Sequence, residues 1–141
     1  MATVLLVRHG ETTWNRSGRV QGWAPTPLTE RGHEQAAALG AHLASTVDVD
    51  RLVSSDLRRA QETARYIARE TESELTTDAA WRERDFGFLQ GFSPVEVFEQ
   101  YPEYALSVSG AAAATARPDS GETLVEVRDT ALVELDPLGG D

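Results

Sequence analysis

Arg8-His9-Gly10 stands directly after a short apolar run, Val4-Leu5-Leu6-Val7, and it is the first place in the chain where residue type and position suit a covalent reaction. A histidine beside arginines is penalised for becoming imidazolium, so its ring nitrogen stays free to attack. Arginine suits a phosphoryl partner, because its planar fork donates paired hydrogen bonds to phosphate oxygens and keeps its charge at any physiological pH. Arg59 falls in the opening turn of an expected helix, whose N-terminus also favours an anion. His9 is therefore the candidate nucleophile, with Arg8 and Arg59 as the candidate phosphate grip. Glu83, in Trp81-Arg82-Glu83, is the candidate acid that protonates the leaving oxygen. The chemistry this set could do is phosphoryl transfer through a phosphohistidine. It calls for no metal and no cofactor, since arginines supply the positive charge and no histidine pair has the spacing of metal ligands on a helix.

Such residues must be carried to one place, and the periodicity predicts how. Val4 to Val7 reads as a strand buried on both faces of a parallel sheet. The stretch from there to Pro27, rich in Gly, Asn, Thr and Pro, reads as a long functional loop. Thr29 caps a helix with Ala36, Leu39, Gly40 and Leu43 at helical spacing. Arg51 to Ser54 is a second strand, after which Ser55-Asp56 caps a helix bearing Leu57, Ala60, Ala64, Ile67 and Ala68 on one face. Leu75 to Thr77 is a third strand, leading into a loop rich in glycine and aromatics from Arg82 to Phe92. Ser93 to Gln100 suits a short helix, Ala111 to Ala116 suits either helix or loop, and Gly121 to Leu135 is an amphipathic helix with Leu124, Val127, Ala131 and Leu135 in a stripe. This alternation implies an α/β domain with a parallel sheet, spanning 1–141 without linker or repeat. Ligands of such sheets bind beyond the carboxyl ends of the strands, where Arg8-His9-Gly10 and Ser54-Ser55 both fall.

Composition narrows the function further. With 23 acidic residues against 13 basic ones, all arginine, the 141-residue chain carries a net charge of −10. Such a surface repels nucleic acid and anionic lipid, so neither is expected as a partner. There is no cysteine, which removes thiolate nucleophiles, disulfides and thiolate metal sites. The apolar run near the start is too short for a signal peptide or a membrane span, and the expected address is cytoplasmic.

The run Leu6-Val7-Arg8-His9-Gly10-Glu11-Thr12-Thr13-Trp14-Asn15 resembles the signature of the histidine phosphatase superfamily, the phosphoglycerate mutase-like proteins. The resemblance continues in Gln21-Gly22-Trp23, in Pro27-Leu28-Thr29-Glu30-Arg31-Gly32, in Ser54 to Ala64, in Arg82-Glu83 through Gly87 to Gln90-Gly91, and in Gly121-Glu122-Thr123-Leu124. It implies a three-layer α/β sandwich around a mainly parallel sheet, phosphoglycerate mutase-like. It also implies His9 as the phosphorylated residue, Arg8 and Arg59 as phosphate ligands, and Glu83 as proton donor. Asn15, Gln21 and Gly22 become substrate contacts, and Arg59 is preferred to Arg58 because the family arginine directly precedes the alanine.

Three departures accompany the resemblance. The family places a second histidine, in a Ser-His-Gly-like turn after a further strand, beside the nucleophile, and no such motif occurs in this sequence. The expectation is a family member incomplete at its C-terminus, with an exposed sheet edge that invites homodimerisation. Pro25 stands where many relatives carry aspartate, and Leu89-Gln90 looks more mutase-like than phosphatase-like. The leading functional expectation is a phosphohydrolase acting on a small phosphorylated metabolite. The alternatives are a cofactor-dependent phosphoglycerate mutase and an inactive phosphate-binding domain.

The same residues admit plainer roles. Arg58 suits an ion pair with Glu62 at i,i+4. Glu83 could instead bridge to Arg82 or Arg84, and Asn15 could cap a turn. Trp14 and Trp23 could pack the long loop against the core. His33 and His42 read as surface residues of the first long helix.

Overall fold

The computed structural model describes residues 3–104, 111–123 and 126. Its elements are helix α1 (Thr13–Ser17), helix α2 (Glu30–Thr46), strand β1 (Leu52–Ser54), helix α3 (Arg58–Thr71), strand β2 (Leu75–Thr77), helix α4 (Pro94–Gln100) and helix α5 (Ala111–Thr115). β1 and β2 pair in parallel, with Leu52 opposite Leu75 and Ser54 opposite Thr77, and α3 is the crossover between them. The α/β architecture with a parallel sheet is thus present, and two of the three predicted strands, Arg51 to Ser54 and Leu75 to Thr77, fall where the sequence puts them.

Local chemistry accounts for the helix bounds. The Thr29 hydroxyl accepts from the Gly32 amide and opens α2, whose buried positions are Gly32, Ala36 and Gly40. α2 packs on α3 closely enough that a Cβ at Gly40 would stand 2.8 Å from the Tyr66 carbonyl oxygen. α3 begins one step later than expected, with Leu57 as a cap that makes no side-chain hydrogen bond. Ser55 still reaches the Leu57 amide at 3.4 Å, whereas Asp56 is drawn off by Arg82. Ser93 and Glu96 exchange the two bonds of a capping box at the start of α4. α5 resolves the alanine stretch as helix.

Three expectations need correction. The stretch up to Pro27 is not all loop, because Thr13–Ser17 forms helix α1, opened by a capping box between Thr12 and Asn15. Val4 to Val7 joins no ladder among the described residues, and its side chains are 42%, 54%, 78% and 43% exposed. A strand forms only where a neighbour takes its N–H and C=O groups, and the described sheet consists of β1 and β2 alone. His33 is also more than a surface residue: its Nδ1 lies 2.9 Å from the Tyr66 hydroxyl and its Nε2 3.5 Å from Glu62, so it ties α2 to α3. His42 is exposed, as expected. Most of the helix expected over Gly121 to Leu135 lies outside the described residues, but Thr123 and Glu126 exchange the reciprocal bonds of a capping box at its start. Among the described residues no helix is long and apolar enough to cross a membrane.

Candidate active site

His9 leaves the Val4 to Val7 segment half-buried, and two close contacts fix its backbone. The Gly10 amide donates to the Thr63 hydroxyl at 3.0 Å, and that hydroxyl donates in turn to the Arg59 carbonyl at 2.9 Å, which pins the segment to α3. On the other side, residues 10 and 11 lie against the first turn of α2. A Cβ at Gly10 would stand 2.5 Å from the Gly32 carbonyl oxygen, and one at Gly32 would overlap the Glu11 carbonyl oxygen. Neither position has room for a side chain. Thr29 donates from its amide to the Glu11 carbonyl at 2.8 Å, and the Glu11 amide donates to Gln35 at 2.9 Å.

The imidazole itself is held in one useful form. His9 Nδ1 sits 2.7 Å from the Gly10 carbonyl oxygen, a distance at which it must be the protonated nitrogen and donate, leaving Nε2 with its lone pair. Burial lowers the pKa of His9 below its ordinary 6.5, Arg59 and Arg8 lower it further, and the Gly10 bond and Glu83 oppose the shift. The net effect favours neutral imidazole near pH 7.

His9, Arg8 and Asn15 line one open hollow of about 360 Å³ together with Gln35 and Thr63. Arg8 is exposed there and has no ion-pair partner among the described residues. Arg59 acts from beneath. It is 1% exposed, and its guanidinium donates to the Ala24 carbonyl at 3.2 Å, the Gly22 carbonyl at 2.6 Å and Glu83 Oε2 at 2.7 Å. Arg59 and Glu83 are therefore an ion pair close enough to bias His9, although their side chains do not line its hollow. A larger hollow of about 760 Å³, walled by Trp23, His33, Asp56, Arg58 and Arg65, includes none of Arg8, His9, Asn15, Arg59 and Glu83.

The remaining predicted contacts divide. Asn15 lines the hollow and also takes part in the cap of α1, its Oδ1 accepting from the Thr12 amide at 3.1 Å. Gln21 does not face the hollow: its Oε1 accepts from the Thr12 and Thr26 hydroxyls, each at 2.6 Å, because three buried polar side chains must satisfy one another. Gly22 contributes only its carbonyl, to Arg59. Glu83 bridges to Arg59 rather than to Arg82 or Arg84, and Arg58 pairs with Glu62 at 2.6 Å as the i,i+4 spacing suggests. Sequence reasoning missed Thr63, whose i,i+4 spacing from Arg59 was the available signal, and the Gly10–Gly32 contact, which no periodicity encodes. Among the described residues no three His, Asp or Glu side chains converge in a way that could hold a metal ion.

The site thus combines a histidine kept largely neutral with a buried arginine that pairs with a partly exposed carboxylate, a set whose chemistry suits a phosphoryl group. The chain belongs to the histidine phosphatase superfamily, branch 1, whose sequence profile matches residues 4–137. It is 46% identical over 90 residues to the probable phosphoglycerate mutase GpmB of Citrobacter koseri, covering 64% of this chain and 41% of that protein. It is 37% identical over 132 residues to the 2,3-bisphosphoglycerate-dependent phosphoglycerate mutase of Bartonella tribocorum, covering 91% of this chain and 62% of the relative. Among solved structures, a mycobacterial glucosyl-3-phosphoglycerate phosphatase complexed with VO3 aligns with a TM-score of 0.76 at 32% identity, over 92% of this chain and 63% of that one. The chain thus spans less than two thirds of the length of each.

Proposed function

We propose that the protein is a phosphohydrolase acting on small phosphomonoesters through a phosphohistidine at His9. The observation that carries this reading is the state of the His9 ring, with Nδ1 committed to the Gly10 carbonyl and Nε2 unprotonated beside two arginines. In the first half-reaction Nε2 attacks phosphorus, the ester P–O bond breaks, and the departing oxygen takes its proton from the Glu83 carboxyl. Arg8 and Arg59 stabilise the charge on the equatorial oxygens. In the second, water attacks the phosphohistidine, Glu83 accepts its proton, and the P–N bond breaks. At rest Arg59 donates to Glu83 Oε2 at 2.7 Å. An arriving phosphoryl dianion competes for that guanidinium and frees the Glu83 carboxyl to meet the departing oxygen.

Hydrolysis is favoured over mutase chemistry by what lies between residues 92 and 116, where no basic residue occurs. A mutase must grip a second phosphate and a carboxylate, and those call for further cations. The mutase reading is supported by the names of the sequence relatives. The net charge of −10 leaves nucleic acid and anionic membranes as poor partners and suits a soluble, cytoplasmic setting. The test is incubation with an aryl phosphate and with 3-phosphoglycerate, followed by rapid quenching. Release of inorganic phosphate with an acid-labile, alkali-stable phosphoryl label on His9 supports the phosphatase. Isomerised phosphoglycerate without free phosphate supports the mutase, and neither product means a binding domain.

A further inference from the structure

Glu83 has little of its own to hold it still. It lies in an irregular stretch between single 3-10 turns at Ala79–Trp81 and Gly87–Leu89, and its side chain is 46% exposed. An acid that must meet a departing oxygen needs a supporting shell. Its neighbours supply one. Arg82 forks both carboxylate oxygens of Asp56 at 2.6 Å, a bidentate contact. The same guanidinium lies over the Trp23 ring, 4.6 Å from its centroid. The Trp23 indole N–H donates to the backbone carbonyl of Glu83 at 2.8 Å, and the Trp23 amide donates to Gln90 Oε1 at 2.8 Å.

Asp56 and Arg59 sit three positions apart at the start of α3, and they hold the consecutive residues Arg82 and Glu83. The clamp closes through Trp23, whose neighbour Gly22 gives its carbonyl to Arg59 at 2.6 Å. We infer that Asp56, Arg82 and Trp23 are positioning residues, a strut that holds the Glu83 carboxyl against Arg59 and in register with His9. Arg82 keeps the Asp56 carboxyl below its ordinary range, so the strut stays charged on both sides through neutral pH. None of the three touches the reacting atoms; they act through Glu83.

The inference rests on Glu83 as the acid, and its test separates the two claims. Trp23→Phe keeps the ring and removes the N–H, while Asp56→Asn releases Arg82 at the far end of the strut. Each is compared with the parent chain and with Glu83→Gln on two substrates, an alkyl phosphomonoester with a poor leaving group and a nitrophenyl phosphate whose leaving oxygen needs no proton. General acid catalysis is worth about 10² to 10⁴ in rate. Glu83→Gln should lose that on the alkyl ester alone when read as kcat/KM, which reports phosphoryl transfer to His9 and not the later hydrolysis, and the strut variants should lose part of it, about tenfold, on the same substrate. A second reading needs no turnover: the His9 ring is titrated by NMR with His33 and His42 as internal folding controls. Glu83 raises the His9 pKa and Arg59 lowers it, so displacing Glu83 should move the His9 midpoint down in all three variants. If Glu83→Gln shows the substrate split or the downward shift and the strut variants show neither, the strut is refuted and the acid stands. If Glu83→Gln shows neither, the acid assignment fails and the inference fails with it. Equal losses on both substrates in the strut variants, with His9 unmoved, would mean a merely structural role and would also overturn it.

Discussion

Adding one methyl group at Gly32, which has no side chain to take part in any chemistry, should cripple the enzyme. A Cβ there would overlap the Glu11 carbonyl oxygen and stand 3.0 Å from Glu11 C and N, whereas ordinary contact begins at 3.4 Å. All three obstacles are backbone, so no flexible side chain can swing aside. The chain at residues 10 and 11 must retreat by about 1 Å, and a misplacement of that size at a reacting group costs roughly a hundredfold in rate. Overpacking of this kind costs about 1 to 3 kcal/mol, or roughly 3 to 15 °C in Tm for a chain of this length. The control is Gly18→Ala. Gly18 has φ +73° but nothing within 4 Å of its Cβ, so that variant carries only left-handed strain, about 1 to 2 kcal/mol. Thermal unfolding by circular dichroism and turnover of an aryl phosphate are measured on both. The stability losses should be similar and the rate losses should not. Full turnover in Gly32→Ala, or an equal rate loss in Gly18→Ala, would refute the idea that the α2 start fixes the nucleophile.

Other outcomes follow from the same site. His9→Ala should abolish acid-labile phosphorylation with the fold intact by circular dichroism, and a variant that still traps phosphate on histidine would contradict the assignment. Because His9 has its pKa lowered from 6.5, kcat/KM should hold steady as pH falls through 6.5 and decline only below it; a limb centred above 6.5 would count against the tautomer argument. The stability sign agrees. The folded state binds fewer protons than the unfolded one between the two pKa values, so the His9 contribution is unimpaired above 6.5 and is lost as pH falls from there through the folded value. Turnover should survive EDTA, since arginines supply the positive charge, and rescue by a divalent ion would reverse that conclusion.

The parts of the fold legible in the sequence are those governed by local rules. The Thr29 cap, the short helix expected over Ser93 to Gln100, and the three residues of β2 were read from caps and periodicity, which act over a turn or less. α1 was not legible. Its capping box is Thr12 with Asn15 rather than a glutamate, and it sits amid glycine, tryptophan and asparagine that read as loop. Val4 to Val7 fails for another reason: an apolar run records what could be buried, while a ladder needs a partner strand that periodicity does not name. His9 could be named as a candidate because Arg8 and Gly10 are adjacent to it in sequence. The bond from Trp23 to Glu83 spans 60 positions, that from Arg82 to Asp56 spans 26, and that from Arg59 to Gly22 spans 37, so only the fold could reveal them.

Arg59 shows why loss of activity alone is a poor guide to role in this protein. Its ion pair with Glu83 has one partner 1% and the other 46% exposed, so solvent screens much of the attraction. The bonds to the Ala24 and Gly22 carbonyls are different, because removing their donor leaves buried acceptors unmet at about 1 to 3 kcal/mol each. Truncating Arg59 would therefore loosen the 22–24 turn, release Trp23 from its place beside Glu83, and remove a phosphate ligand together. A lysine has one point of charge and cannot reproduce a fork that reaches two carbonyls and a carboxylate. The residue proposed to grip the phosphate is also the one that shapes the loop beside it. Catalytic loss at Arg59 is consequently informative only beside variants such as Trp23→Phe, which disturb the loop's hold on Glu83 and leave the cation in place.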